Sequence, residues 1–141
     1  MYRLNEGQID FPKEWKDQSI NIISSTGGGA AGLSFTVTRD DLPWGMEFPE
    51  YVKDQIAQAE ESLNDFKNIG QIELEVSKSP AVEIECSWSS KQGVMHQIIT
   101  TVSTPPRALV LTASMPGRMS DAQKTEVRRI VASFRLNDKD T

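Results

Sequence analysis

The segment FPEYVKDQIAQAEESLNDF, residues 48–66, decides the fold class. Phe48, Val52, Ile56, Ala59, Leu63 and Phe66 recur at the three-and-four spacing of a helix with one buried stripe. Pro49 suits the first helical turn, where a missing N–H breaks no bond. A turn-rich approach, DDLPWGME at 40–47, leads into the helix, with Trp44 read as the cap of a core edge. Asn68-Ile69-Gly70 reads as its end, since Gly70 is free to adopt the left-handed conformation. Gln55 lies on the apolar side, between Val52 and Ala59. A buried amide left unpaired costs about 1–3 kcal/mol. Two readings therefore stay open: Gln55 sits at the margin of the stripe, half wet or bonded to a strand, or it faces a surface that another chain fills.

Outward from this helix the pattern changes to a period of two. Ile72, Leu74 and Val76 alternate with Glu73, Glu75 and Ser77, and Val82, Ile84, Cys86 and Trp88 alternate with Glu83, Glu85 and Ser87. Such alternation describes strands with one buried face and one wet face. Ser79-Pro80 and residues 90–93, SKQG, read as the turns between strands. Residues 94–102, VMHQIITTV, and 107–113, RALVLTA, carry apolar side chains on both sides. A two-sided strand is either central with both faces covered, or has one face covered by the fold and the other by a partner. Upstream, QSINIIS at 18–24 and Leu33, Phe35 and Val37 read as a hairpin, joined by the flexible run TGGGAAG at 26–32. Ile9, Phe11 and Trp15 around Pro12 suggest a short strand and turn leading in. Ser120 and Gln123 form a capping box with Asp121 beside it, and Ala122, Glu126, Val127, Ile130, Val131 and Phe134 trace a terminal helix. The polar tail 137–141 reads as frayed.

About six strands in hairpin connections and two amphipathic helices make an α+β fold with an antiparallel sheet, a single domain over residues 1–141. The expectation is that both helices cover one face, leaving the other open and concave for a partner.

The composition narrows the chemistry. A net charge of −5 without a basic cluster argues against nucleic acid or an anionic membrane as partner. Cys86 is the single cysteine, so no disulfide framework exists and a reducing, cytoplasmic setting is expected. The N-terminus lacks a signal-peptide run and no window is apolar enough to insert in a membrane. Catalysis needs convergent groups, and little here converges. His96 reads as a satisfied or edge histidine rather than a base, and Cys86 as a small core residue. No zinc spacing, nucleophile elbow, phosphate loop or dinucleotide fingerprint is present, so no enzyme, metal or cofactor is expected. Glu73, Glu75, Glu83 and Glu85 could form a carboxylate row on one face of neighbouring strands. Solvation is the simpler account of that row, and a cation-binding or small-ligand module is the alternative.

YRLNEGQIDFPKEWKDQSINI at 2–22, YVKDQIAQAEESL at 51–63, HQIITTV at 96–102 and PRALVLTASMP at 106–116 resemble the effector-associated (Eag) chaperones of bacterial type VI secretion systems. These belong to a DcrB-like group with a Mog1/PsbP-like fold. The similarity spans Tyr2 to about Leu136, and its most specific parts are residues 15–22 and the helix around Gln55. The resemblance implies a homodimeric cytoplasmic chaperone that shields the N-terminal transmembrane helices of a toxin carrying a PAAR domain until the toxin is loaded for export. It implies that Ile20 and Ile22 line an apolar groove, and that Gln55 and Gln97 hydrogen-bond polar atoms of the bound helices. Met95, Ile99 and Leu109 are expected to extend that apolar surface. A Mog1/PsbP-like adaptor for a folded partner remains the other alternative, and the two-sided strands count against it.

Overall fold

Residues 67–116 alternate because they run back and forth as four long antiparallel strands. The computed structural model describes residues 1–25 and 32–137. In chain order the elements are β1 (Tyr2–Arg3), β2 (Gln8–Ile9), β3 (Asn21–Ser24), β4 (Ser34–Asp41), α1 (Phe48–Ser62), β5 (Lys67–Val76), β6 (Ser79–Ser90), β7 (Gly93–Thr104), β8 (Arg107–Pro116) and α2 (Asp121–Ala132). β1 and β2 pair by themselves, and the main sheet has six antiparallel strands in the order β3-β4-β8-β7-β6-β5. The expected α+β class and antiparallel sheet are present. Residues 26–31 of the glycine-rich run lie outside the described residues.

The turn between β5 and β6 falls two residues before the expected Ser79-Pro80. Ser77 and Lys78 take φ values of 52° and 68°, the paired left-handed conformation that lets a two-residue turn follow the strand twist. Helix α1 also stops earlier than its stripe suggests. It ends at Ser62, Asp65 takes the left-handed position with φ 54°, and Asn68–Gly70 form a bulge inside β5. Leu63 and Phe66 keep the helical rhythm because the chain leaving α1 still runs over the same core. Trp44 does not cap a core edge: it is fully exposed, and Leu42 and Met46 pack there instead. At α2 the capping box forms as expected. The Gln123 N–H donates to Ser120 Oγ at 3.1 Å, and the Ser120 N–H donates to Gln123 Oε1 at 2.8 Å.

The two helices lie on opposite faces of the sheet, contrary to the expectation of one shared face. Tyr51 and Val52 of α1 pack on Val82, Ile84, Cys86 and Ala108. Val127 and Val131 of α2 pack on Ile98, Val102, Leu109, Leu111 and Ala113, which point the other way. The reason is parity. In the registers Val102↔Leu109 and Thr101↔Val110, neighbouring residues project to opposite sides, so strands with apolar weight on both faces need a cover on each. β7 and β8 are thus central strands, covered fully by α2 on one face and only in part by α1 on the other.

Candidate partner-binding groove

What α1 leaves uncovered is a cleft of about 210 Å³ along its flank. Val52, Gln55, Ile56, Ala59 and Leu63 form its wall, and Ile99, Thr101, Val110 and Thr112 its floor. Cross-strand pairing carries this face outward to the sheet edge in rows. One row reads Ile84, Ile99, Thr112, Thr36 and Ile22, and the next reads Cys86, Gln97, Ser114, Ser34 and Ser24. Ile22, on the edge strand β3, is 68% exposed, and Ile20, two residues earlier, is 58% exposed.

The face therefore has an apolar inner part at Ile99 and Val110, an apolar outer rim at Ile20 and Ile22, and a strip of half-buried hydroxyls between them. Ser34, Thr36 and Thr38 on β4 and Thr112 and Ser114 on β8 make that strip. The hairpin expected over 18–37 gave Ser34, Thr36 and Thr38, opposite Leu33, Phe35 and Val37, no role. The signal that could have found them is that β4 is flanked by strands on both sides, so its second face belongs to the sheet's working surface.

Of the expected site residues, Ile22, Met95, Gln97 and Ile99 project from this face, Gln55 stands on the lip of the cleft, and Ile20 lies exposed just before β3. Gln55 is exposed, and its side chain makes no hydrogen bond among the described residues. Leu109 is displaced from the set. It is 8% exposed on the opposite face, packed with Val131 beneath α2, because its register with Val102 turns it away from Val110. Gln97 is half-buried and held on two sides: Trp88 Nε1–H donates to its Oε1 at 2.9 Å, and its Nε2 donates to Ser114 Oγ at 3.0 Å.

The opposite face holds the ionisable groups. The supposed carboxylate row does not exist. Glu73 pairs with Val82 and Glu75 with Pro80, so both project away from Glu83 and Glu85. Glu83 and Glu85 are buried under α2, where Arg128 contacts both and Lys124 Nζ lies 2.9 Å from Glu85 Oε2. His96 completes the cluster as a satisfied core histidine. The Met119 N–H donates to its Nδ1 at 2.8 Å, so the ring proton sits on Nε2 and faces Glu85 Oε2 at 2.9 Å. Burial opposes the charge on Glu85, but Lys124 and His96 outweigh it and hold its carboxyl below the usual range. Among the described residues no three His, Cys, Asp or Glu side chains are grouped to hold a metal, and no helix is long and apolar enough to cross a membrane.

With this geometry in view, comparison with known proteins is specific. The DcrB family model matches residues 6–133. The chain belongs to the DcrB family. Within reach of it is the protein named Effector EagT6 of Pseudomonas aeruginosa, 31% identical over 121 residues that span 77% of this chain and 84% of EagT6. That match agrees with the Eag resemblance read in the sequence. Among solved structures, the P. aeruginosa protein of unknown function PA94 superposes with a TM-score of 0.83 at 24% identity, covering 98% of this chain and 96% of that one. The cyanobacterial PsbP protein CyanoP of Synechocystis sp. PCC 6803 superposes with a TM-score of 0.57 at 10% identity, covering 91% and 98%. These two likenesses establish that this DcrB-family chain has a PsbP-like fold.

Proposed function

We infer that this DcrB-family protein is a chaperone associated with a type VI secretion effector. In this reading it works in the cytoplasm as a homodimer, binds the N-terminal transmembrane helices of an effector carrying a PAAR domain, and shields them until the effector is loaded for export. The observation that carries the reading is the groove beside α1, an exposed face with apolar rims and polar groups at Gln55, Gln97 and the hydroxyl strip. From Ile22 to Ile99 the face spans three strand spacings, about 14 Å, and an α-helix with its side chains is about 10–12 Å across. A membrane helix in water exposes apolar surface whose burial yields ~25 cal/mol per Å². Polar atoms on such a helix find partners in Gln55, Gln97 and the Ser/Thr strip, as they do between helices inside a membrane. The relationship to EagT6 supports an effector as the partner. The exposed isoleucines of the β3 edge, Ile22 and Ile23, suit a surface that cargo or a second copy covers.

The competing cation-binding module loses its basis, because Glu83 and Glu85 already face Arg128 and Lys124. The experiment is co-expression with the N-terminal region of a candidate effector, followed by affinity purification and light scattering. A soluble complex of defined mass, lost with Ile22→Glu while the free chaperone stays folded, is the expected result. Precipitated cargo with nothing co-purifying, repeated for each effector of the host, would overturn the reading.

A further inference from the structure

Gln97 has less freedom than an amide side chain normally has. A glutamine offers two N–H donors and two acceptor positions on its carbonyl oxygen. Here Oε1 accepts from Trp88 Nε1–H at 2.9 Å and has Cys86 Sγ 4.0 Å away. The indole nitrogen can only donate, so it fixes which end of the amide is oxygen. Burial, followed by the nearby Glu85 charge, pushes the Cys86 thiol up to about 11, so it is a protonated S–H donor at neutral pH. Trp88 therefore takes one acceptor position of Oε1, and the Cys86 S–H makes a weak contact at the other, so the oxygen is turned toward β6. Of the two N–H groups on Nε2, one donates to Ser114 Oγ at 3.0 Å. The other has no partner among the described residues, and Gln97 projects from the groove face between Met95 and Ile99.

We propose that Trp88 is a positioning residue that, with Cys86 and Ser114, commits Gln97 to presenting a single N–H donor to the groove, so that the groove selects apolar segments carrying a hydrogen-bond acceptor at that point. This rests on the groove being a binding site for apolar helices. It narrows the chemistry of the occupant: a serine or threonine hydroxyl, an amide oxygen or an exposed backbone carbonyl satisfies Gln97, whereas a group that can only donate is refused. Trp88 does this through its indole N–H, the one group that Trp88→Phe removes while keeping an aromatic ring beside Met95.

The test uses the full chain and fluorescent, lysine-tipped helical peptides of about 20 apolar residues. A single central residue is moved through one turn of about four positions, so that one of them faces Gln97. That residue is serine, O-methylserine (which accepts but cannot donate) or norvaline (the apolar isostere). The wild type should bind the serine and O-methylserine peptides alike, each about three- to tenfold tighter than norvaline at the responsive position. Trp88→Phe should abolish that preference while leaving norvaline affinity unchanged, and should add nothing in a Gln97→Leu background. A preference that survives Trp88→Phe overturns the positioning role, and O-methylserine binding as weakly as norvaline overturns the donor assignment. Side-chain amide NMR of the free protein gives a second readout: the Gln97 NH₂ pair should shift in both Trp88→Phe and Ser114→Ala. If the wild type bound none of the peptides, the chaperone reading would fall, whereas unmoved Gln97 resonances would sink the positioning role by itself.

Discussion

The Tyr51 hydroxyl donates to Asp40 Oδ2 at 2.6 Å, tying the first turn of α1 to the end of β4. Burial and then this hydrogen bond push the Tyr51 phenol well above its ordinary value, so it stays protonated in the folded protein. Tyr51→Phe should cost about 1.5–3 kcal/mol in urea denaturation, the range for a hydrogen bond to a charged group. Because the folded phenol is raised, its contribution is present below the unfolded value near 10 and is lost as pH rises beyond it. Wild type and Tyr51→Phe should therefore converge in stability at strongly alkaline pH. A constant difference across that range would show that the bond to Asp40 is not what Tyr51 contributes.

Glu85 gives the opposite sign. Its carboxyl is held below the unfolded value of 4.5, so the stability it contributes is complete above that value and is lost as pH falls through the folded one. Glu85→Gln leaves Lys124 and Arg128 without one of their partners in a part-buried site. The expected loss is roughly 3 kcal/mol at neutral pH, with a flatter acid limb in thermal melts from pH 3 to 6. An acid limb identical to wild type would mean that other carboxylates set the acid response.

The helix cap offers a local measurement. Ser120→Ala removes the oxygen that accepts from Gln123 N–H and should cost about 1 kcal/mol, whereas Ser120→Asp should restore most of it. Equal losses in both variants would point to packing rather than capping.

Leu109 and Ile22 separate structure from binding. Leu109→Ala cuts into the core under α2 and should cost about 2–5 kcal/mol. Ile22→Ala, at an exposed rim position, should stay within about 0.5 kcal/mol of wild type while weakening cargo binding. Combining Gln55→Ala with Gln97→Ala should weaken binding less than Ile22→Glu does, because apolar contact remains. If Ile22→Ala destabilises as much as Leu109→Ala, the rim is part of the core and the groove assignment fails.

The elements were legible where periodicity is long and both neighbours are local: the alternation of Ile84, Cys86 and Trp88, and the stripe from Ala122 to Phe134 behind its capping box. Sidedness was not. An amphipathic helix announces that it buries one stripe and says nothing about which face of a sheet receives it. Leu109 and Val110 are adjacent and both apolar, and only the register with Val102 and Thr101 separates core from groove. Glu83 looked solvated because its partner, Arg128, lies 45 residues away in sequence. Phe66 fitted a helical repeat although the helix ends at Ser62, because a chain crossing one core keeps the rhythm after losing the helix. Ile22 and Gln97 entered through family resemblance, and the sheet brings them to one face. The hydroxyl strip was missed because a threonine in an alternating strand looks the same whether it meets solvent or a partner.

That strip has a kinetic consequence. Hydroxyl hydrogens rotate, so Ser34, Thr112 and Ser114 can each exchange donor for acceptor without moving the backbone, while Thr36 Oγ1 donates to the Thr112 carbonyl at 3.5 Å. A helix resting on such a floor can slide by a residue or turn about its axis and still find its polar atoms answered. In the proposed chaperone, grip would then come from the isoleucine rim and from Gln97, while the strip would keep the barrier to letting go low. A surface of this kind is suited to holding a segment that must later be handed over intact.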